Sequence, residues 1–305
     1  MRQAADLTRR VQQLHFVGSE KAGREPVTIA DYGSQAILCR AISAAFPDDA
    51  VLAEEQAEQF QTLVSDTDRA QIAHLVGKVL GHTVTETNLV TWLEHGRGKA
   101  AERTWIIDPV DGTKGFIANR RYAIAVGALE GDLPVAGVIG SPGYNGGLMF
   151  HAQGSAAYMQ RLGGGKTYRI AVSLPPKRFE SLRVVESSEN SHADHDSLLQ
   201  IIQAAGITTP SLERVDGQDK YAMVACGDAD LYLRLPREAT PRHRIWDHIA
   251  GTALVQAAGG VVTDLDGSPL DFSVSPILIH NKGMVVSSGH IHERVLEALA
   301  NWQPA

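Results

Sequence analysis

The chain has 305 residues, 44% apolar, 21% charged and 6% aromatic, a globular makeup that excludes collagen-like, disordered and disulfide-stapled chains. Lys and Arg total 28 against 35 Asp and Glu, and the net charge of −7 argues against a general attraction to nucleic acid or anionic membranes. Its length predicts about two domains.

Leu7, Val11 and Leu14 recur at i, i+4 and i+7 and predict an opening helix. The N-terminus lacks the apolar run of a secretory signal, and no long apolar stretch predicts a membrane span, so a reducing cytoplasm is the expected location. After Pro26-Val27-Thr28-Ile29, Asp31 opens a second helical pattern that Pro47 stops; a capping acid is its bland reading. Val51-Leu52-Ala53 reads as a strand ending in Glu54-Glu55, residues 58–80 as one polar helix, and 81–103 as loop. Trp105-Ile106-Ile107 is a buried-strand signal running into a predicted turn, Asp108-Pro109-Val110-Asp111-Gly112-Thr113. Strand candidates then crowd at 122–129, 135–139, 148–151 and 156–160.

The second half alternates: strand 184–185, helix 196–205, strand 212–213, helix 218–226, strand 230–235, an Ala-rich helix opened by Trp246-Asp247, strands 260–263 and 284–287, and a last helix over 293–302. The expected fold class is therefore α/β, with an α+β half over 1–167 and an α/β half over 168–305. Cys39 and Cys226, in apolar surroundings, read as buried thiols.

Some apparent signals fail. Gly165-Lys166-Thr167 lacks the first glycine of a P-loop, with Gln160 in its place, and reads as a hairpin turn. The 12 histidines have no Cys partners at zinc spacing. Ser191-His192 has no nucleophile elbow around it.

The acids are more telling. Asp108 and Asp111 leave a buried strand together, the placement that gathers a hard cation such as Mg²⁺, although an Asx-turn explains the pair equally well. Asp31, Glu54 and Asp247 each border an apolar segment, and Gly112-Thr113 offers N–H groups and a hydroxyl to a phosphate. Together these are parts for metal-assisted phosphate ester hydrolysis.

The strings Asp108-Pro109-Val110-Asp111-Gly112-Thr113 and Trp246-Asp247, with Glu54-Glu55 upstream, resemble the metal-binding signatures of the inositol monophosphatase/fructose bisphosphatase superfamily of Mg²⁺-dependent, lithium-sensitive phosphatases. Pro26–Tyr32, Asp111–Phe116 and Tyr232–Pro236 are similar to its 3′(2′),5′-bisphosphate nucleotidases. The resemblance implies a layered α/β/α/β/α sandwich and two or three Mg²⁺ ions held by Glu54, Asp108, Asp111, Asp247 and the Val110 carbonyl. Asp31 and Thr113 would take a proton from the attacking water, with Thr113 hydrogen-bonded to Asp31. The metals would activate the water and neutralise the leaving oxygen, giving in-line attack without a phosphoenzyme.

The resemblance implies 3′-phosphoadenosine 5′-phosphate as the substrate, in recycling of the by-product of sulfate assimilation, with the 5′-phosphosulfate as a second candidate. Gly112, Thr113 and Asp247 would meet the reacting end, and Lys220, Arg234 and His192 the remaining 5′-phosphate. Gly217 departs from the Ser common in the nucleotidases, and Ala53 from the Gly usual before the paired acids. An inositol or sugar phosphate phosphatase with the same metal site is the alternative, and a binding module without turnover the rival class. The resemblance leaves monomer or dimer open.

Overall fold

The computed structural model describes residues 1–14, 29–175, 178–188, 195–236, 243–273 and 276–302. The chain opens with helices α1 (Arg2–Leu14) and α2 (Ile29–Ala45), strand β1 (Ala50–Ala53), and helices α3 (Ala57–Leu63), α4 (Asp66–Leu80) and α5 (Glu86–Glu94). The single polar helix expected over 58–80 is interrupted at Ser65, whose side chain caps α4 by accepting the Asp68 N–H. The loop expected over 81–103 contains α5, started by a Thr85/Asn88 capping box and anchored by buried Leu89 and Leu93, four residues apart.

Next come β2 (Arg103–Asp111), α6 (Thr113–Ile117), β3 (Ala123–Glu130), β4 (Leu133–Ser141), β5 (Leu148–Gln153), β6 (Ala156–Arg161) and β7 (Tyr168–Ile170). The turn expected at Asp108–Asp111 is instead the irregular end of β2, where the register against β3 shifts. A bulge is a place in a sheet where a proline without an N–H fits. Gly165-Lys166-Thr167 lies in the loop of the β6–β7 hairpin, as a turn and not a phosphate cradle.

These strands form one sheet in chain order, β1 to β7, with β1–β2 parallel and the rest antiparallel. The sheet runs past residue 167 to include β7. The later elements are β8 (Arg183–Ser187), α7 (His195–Ala204), β9 (Ser211–Val215), α8 (Asp219–Ala225), β10 (Leu231–Arg234), a 3-10 turn (Ile245–Asp247), α9 (Ile249–Ala257), β11 (Val261–Thr263), β12 (Met284–Ser287) and α10 (His292–Ala300). Their sheet is crossed over, in the order β11-β12-β10-β8-β9.

Strand alternation sorts the apolar side chains into three cores. In β2 and β3, Ile107, Ile124 and Val126 face the core of α1, α2, α4 and α5. Their neighbours Ile106, Ala123 and Ala125 face the opposite way, onto α8 and α9. The second sheet repeats the device: Val185, Tyr232 and Val286 share that middle core, whereas Val184, Leu231, Leu233 and Val285 face α7 and α10. Helices, sheet, helices, sheet, helices is the α/β/α/β/α order that the resemblance implies.

Candidate active site

Helix α2 organises the acid side. Asp31, Ser34 and Gln35 stand at i, i+3 and i+4, hence on one face. Asp31 is buried in the first turn, where a helix N-terminus favours an anion. The Ser34 hydroxyl donates to the Pro109 carbonyl at 3.0 Å, pinning the irregular end of β2. Gln35 brackets Glu55, its Nε2 donating to the Glu55 carbonyl at 2.7 Å and its Oε1 accepting the Glu55 N–H at 2.9 Å. The Glu54 N–H reaches the Ile107 carbonyl at 3.1 Å. Glu54 and Asp108 are thus set side by side by backbone pairing before any side chain chooses a rotamer.

One cleft is lined by Glu54, Asp108, the Val110–Lys114 segment and, from the second half of the chain, Gly217, Lys220, Arg234 and Asp247. All the expected cleft residues in the described chain therefore converge except Asp31, which lies outside the lining yet near enough to raise the Asp108 pKa. His192 lies outside the described residues. The Thr113 hydroxyl donates to the Val110 carbonyl at 3.0 Å, a bond the sequence reading did not foresee for a residue it paired with Asp31.

The two loops that close the cleft meet at glycines. Gly112 has φ +87°, and a Cβ there would sit 3.1 Å from the Gly217 nitrogen. Gly217 has φ +70°, and its Cβ would sit 2.7 Å from the Asp111 carbonyl oxygen. The missing Ser at 217 therefore has a steric reason: this backbone admits only glycine without strain. Ala53, by contrast, is outside the positive-φ residues and needs no glycine.

On the far wall, Lys220 is buried, and its Nζ donates to the Val215 carbonyl at 3.1 Å and the Gly217 carbonyl at 2.5 Å. The same ammonium lies 5.5 Å from the centre of the Tyr232 ring. Burial pulls its pKa down and Asp111 pushes it back, while Arg234 adds to the lowering. The Gln218 side chain donates to the Trp246 carbonyl at 2.9 Å and so ties the start of α8 to the turn carrying Asp247.

A family model described as the inositol monophosphatase family matches residues 2–303. The chain belongs to the inositol monophosphatase family. Among relatives, a protein of Schizosaccharomyces pombe named 3′(2′),5′-bisphosphate nucleotidase is 34% identical over 92% of this chain and 85% of its own. A protein of Arabidopsis thaliana named probable 3′(2′),5′-bisphosphate nucleotidase 4 is 35% identical over 97% and 90%. The solved structure of the Thermotoga maritima IMPase matches with a TM-score of 0.67 at 22% identity, covering 99% of this chain and 94% of that one, and shares the fold. Family and relatives agree on phosphatase activity.

Inositol monophosphatase family members are generally metal-dependent, and the residues here fit a hard cation. Asp108 is 2% exposed, and its Oδ1 has no hydrogen-bond partner. Burial, reinforced by Asp111, Glu54, Asp247 and Asp31, pushes its carboxyl well above the usual carboxylate range. A divalent cation offsets that cost. Among the described residues no three His, Cys, Asp or Glu side chains form a preformed metal cage. A loose carboxylate set suits Mg²⁺, which keeps several waters and takes few protein ligands.

Sequence reasoning missed Lys114, Ser187, Asp216, Gln218, Tyr221 and Tyr232 in the lining. Asp216-Gly217-Gln218, a turn between a strand and a helix, was the one visible hint of the set. Both cysteines are free; Cys39 is buried as expected but Cys226 only partly so, and burial pushes both thiols up to about 12, in keeping with packing roles. Among the described residues no helix is long and apolar enough to cross a membrane.

Proposed function

We propose that this enzyme is a Mg²⁺-dependent phosphatase that removes the 3′-phosphate of 3′-phosphoadenosine 5′-phosphate, giving AMP and inorganic phosphate. The observation that carries this reading is one cleft walled by two kinds of residue: four carboxylates, Glu54, Asp108, Asp111 and Asp247, and two cations, Lys220 and Arg234. A substrate with a single phosphate gives the second wall nothing to neutralise. The names of the relatives support the same substrate class.

Glu54, Asp108, Asp111, Asp247 and the Val110 carbonyl would hold two or three ions. Bound there, Mg²⁺ supplies an acidified water and charge neutralisation on the phosphate. The chain does the rest. Gly112 at the start of α6 presents its N–H toward the reacting phosphate, and Asp247 orients the sugar end. Thr113 Oγ1 accepts the proton of the attacking water and hands its own to Asp31, which requires the hydroxyl to leave the Val110 carbonyl. Lys220 and Arg234 hold the 5′-phosphate as charged donors. In this reading residues 1–167 supply the chemistry, and residues 168–305 add Asp247 and choose the substrate.

The test is phosphate release with Mg²⁺ from 3′-phosphoadenosine 5′-phosphate, inositol 1-phosphate and fructose 1,6-bisphosphate, compared as kcat/KM. The nucleotide should be preferred. Lys220→Ala and Arg234→Ala should each raise its KM by about ten- to a hundredfold, the size of a lost charged hydrogen bond, with little effect on the inositol ester. Equal effects on both esters would refute the nucleotide assignment and leave a sugar phosphate phosphatase.

A further inference from the structure

Asp216 lies on the cleft but points away from the acids, into a junction of three segments. Its side chain is 3% exposed. Arg120 Nε and Nη2 both approach its Oδ2 at 3.1 Å. The Ser188 hydroxyl at the end of β8 donates to its Oδ1. Both carboxylate oxygens are therefore committed within the protein, and Asp216 has the environment of a brace, not of a substrate ligand.

The segments that it joins matter more than the bonds. Arg120 closes the stretch that begins at Gly112-Thr113, and its own N–H returns to the Gly115 carbonyl at 2.7 Å, so the guanidinium moves with α6. Asp216 itself precedes Gly217 and the start of α8, the stretch that carries Lys220. The fit is close throughout: a Cβ on Gly115 would lie 2.6 Å from Asp216 Oδ2, and one on Gly112 would lie 3.2 Å from Asp216 Cβ. One ion pair thus spans the loop that meets the reacting phosphate and the loop that meets the other phosphate.

We infer that the Arg120–Asp216 pair is a positioning device that sets the distance between the two phosphate sites and so determines preference for a substrate carrying two phosphates. This rests on the nucleotide reading above. A ligand bound at both ends needs both loops at one separation, whereas a ligand bound at one end tolerates drift between them. Arg120 does not line the cleft and reaches it only through Asp216, so its effect comes through spacing.

The experiment compares kcat and KM of the full chain, with Mg²⁺, on 3′-phosphoadenosine 5′-phosphate and on adenosine 3′-phosphate, which lacks only the second phosphate. Arg120→Gln should raise KM for the first by about tenfold at nearly unchanged kcat, and leave kcat/KM for the second within about twofold. Arg120→Lys, which keeps the charge and loses the fork, should recover part of the difference. Asp216→Asn should move the ratio of the two substrates in the same direction. Equal losses on both substrates, or no change on either, overturn the inference while leaving the nucleotide reading intact. A wild-type enzyme that shows no preference for the second phosphate overturns both.

Discussion

The two walls of the cleft are built by different means. The acid wall hangs on backbone: strand pairing sets Glu54 beside Asp108, and two residues on one face of α2, Ser34 and Gln35, fasten the backbone of the irregular end of β2 and of the residues after β1. The cationic wall hangs on one long side chain: the Lys220 ammonium is aimed by two main-chain carbonyls and an aromatic face, beside a seam of two glycines. In the proposed mechanism, the groups that must be placed to a fraction of an ångström sit on register-locked elements, and those that would select among substrates sit where a few contacts decide their position.

The largest effect expected from breaking this contrast is at the acid wall. Asp111→Asn removes one ligand charge and should lower kcat by on the order of a thousandfold on every phosphate ester, several kcal/mol of transition-state stabilisation. Undiminished turnover would sink the metal mechanism. Gly217→Ser acts at the seam. It forces a Cβ to within 2.7 Å of the Asp111 carbonyl at φ +70°, so it should cut kcat/KM by about ten- to a hundredfold on one- and two-phosphate substrates alike, with about 1–3 kcal/mol lost from folding. A variant with wild-type kinetics and melting temperature would show that the loop has room to adapt.

The smallest effect touches stability alone. Asp219, beside Lys220, is fully buried; burial pushes its carboxyl up to about 7 against the opposing pull of Ser141, Lys220 and Arg121. A carboxyl raised on folding contributes its stability below the unfolded pKa near 4 and loses it as pH climbs toward the folded value. The wild type should therefore lose ground to Asp219→Asn between about pH 4 and pH 7, with a constant gap above that. Melting temperatures of the two proteins across that range decide it, and parallel curves would remove Asp219 as a cost of the cationic wall.

Much of this was legible in the sequence because it is written in period. The apolar runs Trp105-Ile106-Ile107 and Val184-Val185 marked strands whose successive side chains turn out to face two cores. The acids were legible as acids at the ends of apolar runs. What stayed hidden depends on tertiary context. Helix α5 rests on a capping box and two leucines in a weakly patterned stretch. The Asp108–Asp111 segment reads locally as a turn, and only pairing with β3 holds it in the sheet. Asp216 drew no reading from the sequence, because its partner Arg120 lies 96 positions away.

The middle helix layer has a consequence for how the molecule comes into being. The first sheet is a run of neighbours in chain order and forms from nearby segments as they are made. Its inner face, with Ile106, Ala125, Leu129 and Ile139, finds its cover only when α8 and α9 follow, about 50 and about 80 residues after β7. A nascent chain therefore presents a finished sheet with one greasy side bare, a sticky interval in which chaperones or aggregation compete with folding. Asp247 lies immediately before the helix that ends this interval, so the last acid of the cleft and the lid over the exposed face come into place together.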